Sequence, residues 1–240
     1  MNFKHISTIM HKELCGYFNS PLAYIFITVF LTLTSWLFFR GFFIDNVASM
    51  RPFFTFLPWV FLFLIPAVTM RLWAEEQKAG TLEILLTAPL NEWEAVLGKF
   101  LASFAFLVIT LLLSLVLPII LFFIGEPDWG MIAGGYFGAV FLGGAYLAIG
   151  LWISSLTQNQ ITAFILSVLM IFIFFIIGEP VVLHTAPPFL LSVFKYLGLG
   201  SHFSSILRGV IDSRDLIYYL TFIGFFLYLN VTSLNSRKWH

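Results

Sequence analysis

Charge is what this chain has least of. Only 10% of its 240 residues are Asp, Glu, Lys or Arg, twelve acids against twelve bases, so no basic surface points to nucleic acid. Cys15 is the single cysteine, which excludes an internal disulfide and a cysteine-based metal site. The first twenty residues lack the continuous apolar core of a cleavable signal. Nowhere does GxxxxGK[ST] occur. Gly98-Lys99 is followed by Phe100 and has no glycine loop upstream, so it cannot cradle phosphates. His5, His11, His184, His202 and His240 are scattered, with no two at ligand spacing, and no nucleophile sits beside a base. The expectation is a chain that is not itself an enzyme, with no cofactor and no metal of its own.

What fills the sequence is hydrocarbon. Sixty per cent of residues are hydrophobic, 19% are aromatic and the mean hydropathy is +0.98, outside the range of soluble domains. Several runs approach or exceed the roughly 20 apolar residues that cross a bilayer. The reading is an all-α polytopic membrane protein, residues 1–240 forming one membrane domain. Six spans are expected, at about 22–43, 53–70, 96–124, 131–153, 160–178 and 216–232. Pro58 and Pro66 should kink the second, and Pro118 lies near the far end of the third. Asn91 and Glu94 are spaced as a capping box at the start of the third helix. Gly130, Gly134 and Gly138 recur every four residues in the fourth, suiting close approach of another helix, within the chain or from another subunit.

Ahead of the first span, Phe3, Ile6, Met10, Leu14, Tyr17 and Phe18 recur at helical spacing, with Lys4, His11 and Lys12 mostly elsewhere on the wheel. Residues 1–20 therefore read as an amphipathic interfacial helix, ended by Pro21. His5 and His11 on it are expected to be solvated. With the N-terminus inside, inner segments hold Lys4, Lys12, Arg71, Lys78, Lys99, Arg237 and Lys238, and outer ones Arg40, Arg51, Lys195, Arg208 and Arg214. The positive-inside bias puts both termini and residues 71–95 in the cytoplasm and residues 179–215 outside. FFIGEP at 122–127 and FFIIGEP at 174–180 repeat at outer span ends, where Gly and Pro stop a helix beside a solvated Glu126 or Glu179.

The densest charge in the chain, Arg71 to Glu83, falls on that inner connection. Arg71 to Lys78 continues the second span. Gly80 suits a left-handed helix end, Thr81 can cap the next helix, and Glu83 suits the positive end of that helix. Leu82, Leu85 and Leu86 form an apolar stripe that Pro89 stops. Carboxylates around such a stripe fit an anionic lipid leaflet poorly and a protein partner well.

The run from Arg71 through Trp73, Glu75, Glu76, Lys78, Gly80, Thr81 and Glu83 to Pro89 resembles the cytoplasmic loop of ABC type-2 transporter permeases, nearest the gliding-motility-type (GldF-like) and NosY-like subgroups. Lys12-Glu13-Leu14, Tyr17 to Pro21, Gly98-Lys99-Phe100, Ser154 to Gln160 and Arg208 to Tyr219 agree, so the resemblance spans nearly the whole chain. It implies a six-span permease in a bacterial inner membrane, paired with a second permease, identical or homologous, and two ATP-binding subunits that hold ATP and Mg. The helix before span one would be a connecting elbow. Glu75, Glu76, Gly80, Thr81, Leu82, Glu83 and Leu86 would couple to the ATPase, and 179–215 would carry short re-entrant helices before the last span. A membrane anchor that recruits an ATPase without transporting is the alternative. A secondary carrier is disfavoured, because spans two to five hold almost no ionisable groups at mid-depth.

Overall fold

The computed structural model describes residues 2–45, 49–83, 90–125, 127–185, 187–209 and 212–237, and among these there is no strand. Helix α1 (Phe3–Phe18) precedes α2 (Pro21–Asp45), α3 (Arg51–Thr69), α4 (Arg71–Lys78), α5 (Glu92–Leu113), α6 (Val116–Ile124) and α7 (Trp129–Leu156). Then come α8 (Gln160–Ile176), three short helices α9 (Pro180–Thr185), α10 (Pro188–Leu197) and α11 (Leu199–Ile206), and α12 (Ser213–Arg237).

Among the described residues, five helical stretches are long and apolar enough to cross a bilayer: Pro21–Phe42, Arg51–Lys78, Glu92–Ile124, Trp129–Leu156 and Ser213–Ser236. The expected fifth span is α8, an apolar helix of 17 residues. The second stretch passes from α3 through a turn at Met70 into α4, so the polar segment extends the span as a helix. The third breaks between α5 and α6. Pro118 has no amide to bond the Ser114 carbonyl, and the helix tightens there, with Leu117 N bonding Ser114 O at 3.0 Å.

Helix α7 is the axis of the bundle. It packs against α3, α4, α5, α8, α11 and α12, and 78% of its most apolar window is buried. Its small residues make this possible. A Cβ on Gly138 would meet Phe203 and Ile206 of α11 at 3.2 Å, and Gly134 faces the Ile206 carbonyl at 3.0 Å. Gly134 and Gly138 are thus spent on packing within the chain, while Gly130 is exposed.

Helix α1 lies chiefly along α5. Ile6 and Tyr17 are buried, Phe3 is exposed, and Asn2 caps the helix by accepting from the Lys4 amide. Tyr17 stacks on Phe106 with ring centroids 5.2 Å apart and meets the Ser103 hydroxyl at 3.3 Å. Burial pushes the Tyr17 phenol well above its ordinary value, so it stays neutral.

Candidate functional site

The charged stretch 71–83 builds one end of the bundle, and what it meets there comes from four distant parts of the chain. Helix α4 begins where α3 ends, so its first amides lie against α7. Ser154 of α7 accepts from the amides of Trp73 and Ala74 at 3.1 and 3.2 Å and donates to the Met70 carbonyl at 3.0 Å. One turn on, Gln77 Nε2 donates to the Ser155 carbonyl at 2.8 Å. The Ser155 hydroxyl in turn donates to Ser233 Oγ of α12 at 3.2 Å. The Ser154 and Gln77 bonds fix α4 against α7 without exposing backbone to hydrocarbon, and the Ser155–Ser233 bond ties α7 to α12.

The opposite side of α4 receives Lys99 of α5. This side chain is 2% exposed. Its ammonium donates to Glu76 Oε1 at 2.7 Å, Glu13 Oε1 at 2.9 Å and the Leu72 carbonyl at 2.9 Å. It also sits 4.8 Å from the centre of the Trp73 ring. All three ammonium hydrogens are used, which is why a nearly fully buried lysine is tolerated. One cation therefore ties α1, α4 and α5 together. Arg71 adds a second link, its guanidinium 5.1 Å from the Tyr17 ring of α1.

Glu94 is the third link. It completes the expected capping box with Asn91. It also accepts from the Asn2 amide at 2.6 Å and contacts His5 Nδ1 at 2.8 Å. His5 is thereby paired while its side chain stays 40% exposed. Close approach here depends on Gly98, whose Cβ would lie 2.7 Å from Ile9 of α1.

The predicted coupling residues divide into two sets. Glu76 and Leu82 turn inward: Glu76 holds Lys99, and Leu82 joins the apolar core. Glu75, Gly80, Thr81 and Glu83 are exposed on the same end. Gly80 has φ +70°, the left-handed conformation expected of it, and a Cβ there would meet nothing within 4 Å. The Thr81 hydroxyl bonds back to the Glu76 carbonyl at 3.3 Å. Leu85, Leu86 and Pro89 lie outside the described residues, as does Glu126 at the far end of the third span. Two shallow clefts open beside the exposed set. One, of about 270 Å³, is bounded by Lys12, Glu13, Arg71, Glu75 and Glu76. The other, of about 540 Å³, lies between Lys78 and residues 158–161 of the α7–α8 turn.

Lys99, Glu13, Ser154 and Ser155 carry this junction. Residue types alone give Lys99 and Glu13 no role. The serine, threonine and asparagine residues at 154–162 are expected to satisfy backbone groups at an inner turn, as Ser154 does for Met70, Trp73 and Ala74. The signal was present in the motifs: Lys12-Glu13-Leu14, Arg71 to Lys78, Gly98-Lys99-Phe100 and Ser154 to Gln160 are far apart in sequence and meet here.

Comparison with known proteins agrees with that convergence. A family model described as ABC-2 family transporter protein matches residues 46–231. The probable multidrug ABC transporter permease YbhR of Escherichia coli K12 is 39% identical over 92 residues. Its counterpart from the O157:H7 strain matches equally. Those 92 residues are 38% of this chain and 24% of the relatives, so the chain aligns with about a quarter of their length.

Proposed function

The chain belongs to the ABC-2 family of transporter proteins, and from that premise we propose that it is the permease subunit of a transporter driven by a separate ATP-binding subunit. That partner binds and hydrolyses ATP with Mg, since this sequence carries no phosphate-binding loop. It docks on the end of the bundle where Glu75, Gly80, Thr81 and Glu83 are exposed. The observation that carries this reading is the rigid seat beneath them. Helix α4 is bonded to α7 through Ser154 and Ser155 and to α1 and α5 through Lys99. A push delivered to residues 75–83 would move these helices together and would not dissipate in a loose connection.

The finer architecture goes with this proposal. Helix α8, about 25 Å long at 1.5 Å per residue, acts as the fifth of six spans. Helix α1 is the elbow, α9 to α11 form the re-entrant segment, and both termini with residues 71–95 face the cytoplasm of an inner membrane. Two such permeases and two ATPases make the working unit, and the motifs suit the gliding-motility-type and NosY-like subgroup. The multidrug designation of the partial relatives suits an apolar cargo.

The test is coexpression with ATP-binding subunits encoded beside the gene. The permease purified alone should not hydrolyse ATP, and copurification should yield an active complex. Glu75→Lys combined with Glu83→Lys reverses the exposed charge and leaves the Glu76–Lys99 pair intact. This variant should insert and extract like the parent but lose ATPase association or substrate-stimulated hydrolysis. Full association and activity would reject the docking assignment.

A further inference from the structure

The far end of the bundle holds a second polar cluster that energy coupling does not use. Where α10, α11 and the start of α12 meet, they border an open cavity of about 460 Å³, lined by Lys195, Arg208, Arg214 and Asp212, with His202 and Asp215 in its wall. None of the three cations has a carboxylate within 4.0 Å among the described residues. Asp212 instead accepts from the Arg214 amide at 2.9 Å.

The wall is built firmly. His202 stacks on Tyr218 with ring centroids 3.9 Å apart. Its Nε2 lies 2.9 Å from the Tyr196 carbonyl and its Nδ1 2.6 Å from Asp215 Oδ1. A carbonyl only accepts, so Nε2 carries a hydrogen, and a second proton lies along the bond to Asp215. That makes His202 and Asp215 together neutral. Three cations then face one carboxylate, Asp212, so the cavity is net positive.

Asp215 Oδ2 is closed off from the cavity, so the acceptor that the cavity offers is the exposed carboxylate of Asp212. The cavity thus asks for an anion and, beside it, a group bearing N–H or O–H. Its surroundings are apolar: Phe189, Val193 and Tyr196 of α10 and Ile217 and Leu220 of α12 are all exposed. On the membrane reading of α12, these side chains lie in lipid and the cavity opens at headgroup depth.

We infer that this cavity binds a phospholipid headgroup, the phosphodiester held by Lys195, Arg208 and Arg214 and a terminal ammonium donating to the Asp212 carboxylate. Phosphatidylethanolamine has both features. Phosphatidylcholine has the phosphate but no N–H to donate. This inference rests on the membrane reading and not on the ATPase reading, so the full-length permease without its partner suffices to test it.

The assay is binding of short-chain lipids to the purified chain in detergent, read by intrinsic fluorescence and by retention in native mass spectrometry. Short-chain phosphatidylethanolamine should bind roughly tenfold or more tightly than phosphatidylcholine, the worth of one hydrogen bond to a charged group. Asp212→Asn, at an exposed side chain, should erase that preference. Lys195→Gln with Arg208→Gln, both on exposed side chains, should weaken both lipids by roughly tenfold or more at low salt. Glycerophosphoethanolamine, the headgroup without acyl chains, should bind far more weakly than the lipid. Equal binding of the two would assign the cavity to a soluble phosphate ester and overturn the lipid. Equal affinity for the two lipids, or no change in the Lys195/Arg208 variant, would overturn the site altogether.

Discussion

Replacing Lys99 by methionine removes one charge and keeps most of the side-chain volume. The ammonium is nearly fully buried, and it satisfies Glu13, Glu76 and a main-chain carbonyl at once. Breaking a buried ion pair from one side costs about 3–5 kcal/mol. Glu13 and Glu76 keep 19% and 21% side-chain exposure, so some water reaches them. The loss should therefore fall at the low end, about 3 kcal/mol. At about 2–4 °C per kcal/mol for a chain of this size, Tm should drop by about 6–12 °C. The assay is thermal unfolding of the detergent-solubilised chain, followed by tryptophan fluorescence. The triple variant Lys99→Met, Glu13→Gln, Glu76→Gln removes the stranded carboxylates too, and should recover at least half of the drop, since replacing a whole buried set is often close to neutral. A Lys99→Met protein that melts within about 2 °C of the parent, or a triple variant no better than the single, would refute the account of Lys99 as the pin of this junction.

Ser154→Ala strands the amides of Trp73 and Ala74 beside α7, and should cost about 1–3 kcal/mol in the same melting assay. Gly150→Ala drives a methyl into Thr69 of α3, and overpacking there should cost about 1–3 kcal/mol. Gly224→Ala, with nothing within 4 Å, should leave Tm unchanged. Gly80→Val meets no neighbour but must hold φ at +70°, so it should lower ATPase coupling more than Tm, read by hydrolysis and melting side by side. In a Cys15→Ser background, cysteines at Lys78 and His184, both exposed, should label from opposite sides of the membrane. Labelling of both from one side would reject the proposed topology.

Local chemistry was readable in the sequence wherever one residue's own conformational preference decides the outcome. Asn91 with Glu94 at a helix start, Gly80 at a helix end and Pro118 in a broken span each act within a turn of their own position. The Lys99 junction was not readable. Glu13 lies 86 residues from Lys99 and Glu76 lies 23 away, and only packing α1 and α4 on α5 brings them together. The same holds at the far end. Asp215 is 13 residues from His202, and the turn between α11 and α12 closes that gap. Glu76 shows the limit best: by composition it belongs with the exposed acids of its segment, but its turn of the helix faces inward.

Helix α1 also sets an order of events in synthesis. Its hydrogen-bonded fastenings, Glu13 to Lys99, Asn2 and His5 to Glu94, and Tyr17 to Ser103, are made with residues 86 to 92 positions downstream. At about 5–20 residues per second, the ribosome needs roughly 5–20 seconds to make that stretch. For that time α1 exists and its berth does not. The apolar side that later covers Ile6 and Tyr17 needs a temporary neighbour, and the bilayer surface is the one at hand. The amphipathic pattern of residues 3–18 is thus used twice, first as a float on the nascent chain's membrane and later as half of a seam.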